Sequence, residues 1–149
     1  MTKHLVIPDT QVKPDQSIEH LRWAGQYAVD KKPDVIVMIG DWFDLPSLSS
    51  YDVGTRSFEG RRYTNDIEAG VAAMEMFMRP IKDEQNRLIR NKDKRWNPRL
   101  VFTLGNHENR IERATNADPK LDGLISYRDF QLEEFGWGVY PFLEPVIME

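Results

Sequence analysis

Three short apolar runs, each followed at once by a cluster of polar residues, constrain the fold of this chain more than any other feature. The runs cover residues 5–7, 35–39 and 100–104. Apolar runs of this length are typical of strands buried on both faces of a parallel sheet. Between the first two runs, apolar residues recur every three or four positions over residues 18–29, which predicts a helix. A strand, a helix and a strand in this order predict a right-handed parallel β-α-β unit.

A long helix is predicted over residues 65–91, where the apolar side chains fall on one stripe. Pro80 is expected to kink or divide this helix, because proline has no amide donor and its ring collides with the preceding turn. Residues 45–63 show no sustained periodicity and predict a long excursion. We expect one domain over residues 1–149, with the excursion and the long helix at about 45–92.

Weaker patterns follow the third apolar run. They predict short helices over residues 108–116 and 127–134, and short strands over residues 138–142 and 145–148. Because the last of these segments is apolar and has no polar ending, we expect a fold that is incomplete at its C-terminus.

Composition excludes several classes of protein. The chain has no cysteine, which excludes disulfides, thiolate zinc sites and cysteine nucleophiles. It has no apolar run long enough to cross a membrane and no signal peptide, so we expect a cytoplasmic protein without a membrane partner. A net charge of −4 argues against broad electrostatic attachment to nucleic acid, although a mildly acidic protein can still carry a local basic patch.

The polar clusters that end the three apolar runs predict one shared site. They cover residues 8–11, 40–44 and 105–108. In open α/β sheets, ligands bind in the crevice beyond the carboxyl ends of the strands. Asp9, Asp41 and Asn106 would supply oxygen atoms there, which suit divalent ions such as Mg²⁺ and Mn²⁺. Gly40 and Gly105 would allow the backbone to turn sharply beside them.

The order of these motifs resembles that of the calcineurin-like metallophosphoesterases. Gly-Asp-x-x-Asp occupies residues 40–44, Gly-Asn-His-Glu occupies residues 105–108, and Asp-x-Gln at residues 9–11 stands where the family carries Asp-x-His. The resemblance runs from residue 5 to about residue 110. It implies an α/β fold, namely a two-sheet β-sandwich flanked by helices. It also implies hydrolysis of a phosphate mono- or diester by a water that two metal ions activate.

The resemblance also implies a role for each metal-binding position. Asp9 would bind the first metal ion, Asp41 would bridge both ions, and Asn106 would bind the second. Gln11 would also bind the first ion through its amide oxygen, or else it is an exposed polar loop residue. Because Gln11 replaces a histidine, the expected cofactor is a pair of Mn²⁺ ions, with Mg²⁺, Fe, Zn²⁺ and Ni²⁺ as alternatives.

The catalytic pair implied by the resemblance is His107 with Asp44. His107 would lie beside the scissile phosphate, where it stabilises charge or protonates the leaving oxygen, and Asp44 would orient it. His4 and His20 are the only other histidines, and the family's C-terminal histidine ligands have no counterpart after His107. A further C-terminal segment or a second chain would then complete the metal site, or the site is degenerate.

Arginines near the predicted site indicate an anionic substrate. Arg110 would bind the phosphate, or else face solvent on a helix. Arg56, Arg61 and Arg62 interleave with aromatic residues in the excursion, a pattern that suits a nucleotide or nucleic acid partner, or else a solvated loop. We therefore expect a metal-dependent phosphoesterase. The alternatives are a catalytically degenerate binding or scaffold module, and a nuclease of the same superfamily.

Overall fold

The computed structural model describes residues 1–148 and shows an α/β fold built on one four-stranded parallel sheet. The strands are β1 (His4–Ile7), β2 (Val35–Met38), β3 (Arg99–Thr103) and β4 (Gly138–Tyr140), and they lie side by side in chain order. All three pairings are parallel. The predicted α/β class is confirmed, and the carboxyl ends of all four strands share one edge of the sheet.

Two long helices cover one face of the sheet. They are α1 (Glu19–Lys31) and α2 (Tyr63–Arg90), and they pack against each other. Helix α2 continues through Pro80, so the proline does not divide it. At this point Gly25 of α1 comes so close that a Cβ atom there would lie 2.2 Å from the carbonyl oxygen of Phe77. The two helices therefore leave no room for a side chain at position 25.

The two faces of the sheet differ in how much apolar material covers them. The helix-covered face carries the large core, which includes Ile36, Met38 and Phe102 with side chains from both helices. On the other face, Val35, Val37 and Val101 form a small cluster with Tyr140 and Val146. Burial of apolar side chains contributes about 1.5–3 kcal/mol each, so most of the stability comes from the helix side.

The C-terminal third contains mainly short elements. Helix α3 (Arg110–Ala117) lies close to the predicted helix over residues 108–116. The helix predicted over residues 127–134 is instead a single 3-10 turn, Tyr127–Phe130, because Gln131 adopts a left-handed conformation with φ 56° that ends it. The strand predicted over residues 145–148 does not form, and Val146 only packs on the small cluster. Across residues 1–148, no helix is both long enough and apolar enough to span a membrane.

Candidate active site

The polar loops that follow β1 and β2 run side by side. The backbone N–H of Gln11 donates to the carbonyl of Asp41 at 2.8 Å, and that of Val12 donates to the carbonyl of Trp42 at 2.7 Å. In return, the N–H of Asp44 donates to the carbonyl of Val12 at 2.9 Å. These bonds extend the parallel pairing of the strands past their ends and bring the first two clusters together.

The loop after β3 meets the loop after β2 at two glycines. A Cβ atom on Gly105 would lie 2.2 Å from Oδ1 of Asp41, and one on Gly40 would lie 2.6 Å from the backbone nitrogen of Gly105. Gly40 also has φ +93°, which side chains disfavour. With both positions open, the N–H of His107 donates to Oδ1 of Asp41 at 2.9 Å. The glycines are therefore what allows the second and third clusters to touch.

Glu108 ties these two loops together from inside the protein. Its side chain is fully buried. Oε2 accepts hydrogen bonds from the N–H groups of Asp41 and Gly105, both at 2.8 Å, and Oε1 accepts one from the N–H of Phe43 at 3.0 Å. Burial raises the pKa of Glu108, and the three backbone donors oppose that rise. The sequence placed Glu108 in a motif but gave no sign of this role, since its partners are backbone groups that any sequence carries.

Unusual backbone conformations concentrate in the same loops. Gln11, Asp41 and Leu45 have φ angles of 45°, 57° and 52°. Residues other than glycine rarely adopt this left-handed region, and such strained positions cluster at functional sites. Two of the three, Gln11 and Asp41, are predicted metal ligands.

The two aromatic residues of the second cluster anchor it in the core. Trp42 and Phe43 are both fully buried. The indole N–H of Trp42 donates to the carbonyl of Gly70 in α2 at 3.1 Å, and Phe43 stacks on Phe130 with ring centroids 4.2 Å apart. The cluster is thus fixed to both α2 and the C-terminal third, while Asp41 on its rim stays half-buried.

His107 and Asp44 form a close pair. Nδ1 of His107 lies 2.9 Å from Oδ1 of Asp44 and 2.9 Å from the carbonyl oxygen of the same residue. Because both neighbours are acceptors, Nδ1 carries a proton and donates it, which leaves Nε2 as the nitrogen available for chemistry. The two side chains are 15% and 16% exposed, so a substrate can reach the pair.

The four predicted metal-binding side chains all belong to these loops. Asp9 and Asn106 are exposed, while Gln11 and Asp41 are half-buried. Two carboxylates and two amides supply oxygen atoms only, which fits hard divalent ions. Over the part of the chain that the structure describes, no group of three His, Cys, Asp or Glu side chains is placed to hold a metal ion. The oxygen donors therefore suit a divalent ion in kind but are few in number.

The arginines predicted to bind substrate occupy different positions. Nη1 of Arg110 donates to the carbonyls of Asp44 and Leu45 at 2.7 and 3.2 Å, so this side chain braces the second loop. Arg56 is exposed in the short 3-10 turn Arg56–Phe58 and does not line the cavity beside Asp44. Arg61, by contrast, lines that cavity.

A cavity of about 470 Å³ opens beside the His107–Asp44 pair. The excursion, the start of α2 and the loop after β1 form its walls. Charged residues of both signs line it, namely Lys13, Asp15, Asp44, Asp52, Glu59, Arg61, Arg62, Asp66 and Arg110. The volume lies within the range of about 300–1,000 Å³ typical of small-molecule sites.

Comparison with known proteins identifies one family. The family model for calcineurin-like phosphoesterases matches residues 2–144. No curated protein and no solved structure gives a significant match. The family match extends well past the motifs and covers nearly the whole chain.

Proposed function

The chain belongs to the calcineurin-like phosphoesterase family, and from this membership we propose that it is a metal-dependent hydrolase of a phosphate mono- or diester. The family generally binds divalent metal ions and acts as phosphoric ester hydrolases. The proposal extends these general properties to this chain and to its own strand-end loops.

The observation that best supports the proposal is the junction of the second and third loops. Oδ1 of Asp41 accepts the N–H of His107, and Nδ1 of His107 lies 2.9 Å from Oδ1 of Asp44. A candidate ligand and a candidate acid-base group are therefore held beside each other without needing to rearrange. Groups fixed in advance in this way lower the barrier of a reaction, because little reorganisation is left for the chemical step.

Asp9, Gln11, Asp41 and Asn106 would hold the divalent ions in this proposal, and Mn²⁺ is the proposed metal because every donor is an oxygen atom. The ions would supply positive charge that activates a water and offsets the charge of the phosphate. Two carboxylates and two amides are few ligands for two ions, and histidines from a further segment or a second chain would complete the set.

His107 would handle the proton of the leaving group. With Nδ1 donating to Asp44, Nε2 is free to carry a proton towards the departing oxygen. Asp44 would keep the ring oriented and would stabilise its charged form. Arg110 would act indirectly, because its hydrogen bonds to the carbonyls of Asp44 and Leu45 hold the loop in place.

The test is hydrolysis of an aryl phosphate monoester and an aryl phosphate diester in the presence of Mn²⁺. We expect His107→Ala to lower kcat/KM by roughly 10²–10⁴-fold, and Asp41→Asn to lower both Mn²⁺ affinity and rate. His20→Ala is the matched control, because His20 is exposed on α1. Equal activity in His107→Ala, Asp41→Asn and the control would show that hydrolysis occurs elsewhere or not at all.

A binding module that keeps the fold without catalysis is the second candidate. It is favoured by the small number of charged ligands, since no group of three His, Cys, Asp or Glu side chains within residues 1–148 is placed to hold an ion. Titration of the protein with Mn²⁺ in a calorimeter separates the two. Binding that Asp41→Asn abolishes supports the enzyme, and no heat of binding supports the module.

A further inference from the structure

Asp66, in the first turn of α2, is the most deeply buried carboxylate on the walls of the cavity beside Asp44. Asp66 is only 2% exposed, and it lines the cavity. Oδ2 accepts the backbone N–H of Ser47 at 2.9 Å. A carboxylate can accept about four hydrogen bonds, and one that is removed from water is costly unless it is paired. Burial raises the pKa of Asp66, while the hydroxyl and N–H groups of Ser47 and the charge of Arg61 oppose that rise. A hydrogen-bond donor inside the cavity would reduce this cost.

The cations around Asp66 are partly committed to other groups. Nη1 of Arg61 donates to the carbonyl of Pro46 and to Oδ2 of Asp52, at 3.0 and 2.9 Å. Arg62 and Lys13 are exposed where they line the cavity, and Nη1 of Arg62 donates to the carbonyl of Arg61 at 2.9 Å. The walls therefore offer both acceptors and donors, and they carry no strong excess of either sign.

The cavity walls also lack aromatic rings among the described residues that line them. A flat base is usually bound by stacking on aromatic side chains, and a quaternary ammonium group is usually bound over their faces. Hydroxyl groups need neither, because each both donates and accepts a hydrogen bond. The lining therefore suits a hydroxylated molecule better than a base.

The cavity and the candidate catalytic pair share Asp44. This residue lines the cavity, and its Oδ1 lies 2.9 Å from Nδ1 of His107. A molecule in the cavity would thus lie next to a phosphate held at the strand-end loops. The volume of about 470 Å³ leaves room for a small organic group.

We propose that this cavity receives the alcohol part of a sugar phosphate or polyol phosphate, with the Asp66 carboxylate accepting hydrogen bonds from its hydroxyl groups. Arg62 contributes further hydrogen bonds from the rim. The inference rests on the proposed function for the position of the phosphate, and it adds the class of substrate.

The test measures binding rather than turnover, so it does not depend on catalysis. The probes are a glucose phosphonate, whose phosphorus–carbon bond resists hydrolysis, methylphosphonate as the phosphate part alone, and an adenosine phosphonate. Each is titrated into the full chain with Mn²⁺ in a calorimeter. We expect the glucose phosphonate to bind at least about tenfold more tightly than methylphosphonate, as hydrogen bonds to a charged group predict.

Variants assign that preference to named residues. Asp66→Asn should remove most of the tenfold ratio, and Arg62→Gln should reduce it about threefold, as expected of an exposed charged group. Glu75→Gln and Arg79→Gln are matched controls, because both residues are exposed on the same helix. If Asp66→Asn fails to melt cooperatively, the binding ratio of Arg62→Gln alone tests the inference, because the Arg62 side chain is exposed and its replacement should leave the fold intact.

Three outcomes would overturn the inference: a glucose phosphonate that binds no more tightly than methylphosphonate, a ratio that neither variant changes, or an adenosine phosphonate that binds as tightly as the glucose phosphonate. Hydrolysis of an aryl phosphate is measured in parallel. Sugar-selective binding without any hydrolysis would reject the proposed enzyme and keep the inference. Hydrolysis without sugar-selective binding would reject the inference about the cavity and keep the proposed enzyme.

Discussion

The loops after β2 and β3 differ from the loop after β1 in what holds them. The former are joined through a buried carboxylate, with Glu108 accepting the N–H groups of Asp41, Phe43 and Gly105. The loop after β1 is held by hydrogen bonds between neutral groups, such as those from the N–H groups of Gln11 and Val12 to the carbonyls of Asp41 and Trp42. Hydrogen bonds to a charged group are stronger than hydrogen bonds between neutral groups.

This difference separates a fixed pair of predicted metal ligands from an adjustable pair. Asp41 and Asn106 belong to the loops that Glu108 joins, so their positions are set by the folded core. Asp9 is exposed, and Gln11 lies two residues further along the loop after β1, here called the outer loop. We expect substitutions in the joined loops to change stability and metal binding together, and substitutions in the outer loop to change metal binding alone.

The largest effect should come from Glu108→Ala. It leaves three backbone N–H groups without their acceptor in a buried place, which should lower the free energy of unfolding by roughly 3–5 kcal/mol. Urea unfolding measures the loss. Glu112→Ala, on the exposed face of α3, is the control. If the two variants lose similar stability, Glu108 does not join the loops energetically.

Gly105→Ala should have the next largest effect. The new Cβ atom would lie 2.2 Å from Oδ1 of Asp41, so this carboxylate must move. We expect a loss of about 2 kcal/mol in unfolding free energy and weaker Mn²⁺ binding, measured by thermal melts and calorimetry. Gly138→Ala is the comparison, because the nearest atom to its Cβ would be at an ordinary 3.5 Å. Tolerance of both changes would contradict the close contact of the two loops.

Gln11→His should affect metal binding alone. An imidazole is a stronger ligand than an amide for borderline metals, and histidine tolerates a left-handed backbone better than most residues. We expect Zn²⁺ and Mn²⁺ affinity to rise by about tenfold, with the larger gain for Zn²⁺. Gln16→His, exposed in the same connection between β1 and α1, should give no gain. A large change in melting temperature would show that the outer loop is not adjustable.

The smallest effect should come from Glu84, at the opposite end of the sheet from the site. Its carboxylate accepts hydrogen bonds from Arg87 and Lys32, which lower its pKa to about 2. A carboxyl group whose pKa is lower in the folded state stabilises the protein above its unfolded pKa of about 4.5 and loses that contribution as the pH falls towards 2.

Glu84→Gln should therefore melt slightly below the natural protein at neutral pH. Between about pH 4.5 and pH 2, the range bounded by the two pKa values, the difference should disappear. Thermal melts across this range measure it, and Mn²⁺ affinity should stay unchanged at neutral pH. If Glu84→Gln also weakens Mn²⁺ binding, a loss of stability far from the site is enough to weaken binding. Weaker binding in the variants of the joined loops would then not distinguish those loops from the outer loop.

The regular elements of the fold could be predicted because their signals are local. Apolar runs located β1, β2 and β3 to within one or two residues, and the periodicity over residues 65–91 corresponds to α2 (Tyr63–Arg90). The short C-terminal elements were harder, because a few residues carry little periodic signal. The strand predicted over residues 145–148 is the clearest error.

The connections within the candidate site could not be predicted in the same way. The motifs indicated that three loops would lie at one edge of the sheet, but not which atoms would join them. Glu108 accepts hydrogen bonds from the N–H groups of Asp41 and Phe43, which precede it in the chain by 67 and 65 positions. Arg110 donates to carbonyls of the same loop. Backbone partners leave no pattern in the sequence. The metal-binding and catalytic roles of the motif residues remain predictions for the experiments above.

The bonds of Glu108 to main-chain amides have a practical consequence for protein engineering. A backbone N–H is present at every position except proline. The hydrogen bonds that Glu108 accepts therefore do not require particular side chains at positions 41 and 43. The predicted metal donors at positions 9 and 11, on the loop after β1, can then be exchanged without removing any of these hydrogen bonds. Once Mn²⁺ titration confirms the predicted site, the chain would serve as a host in which new metal chemistry is installed by replacing side chains rather than by rebuilding loops.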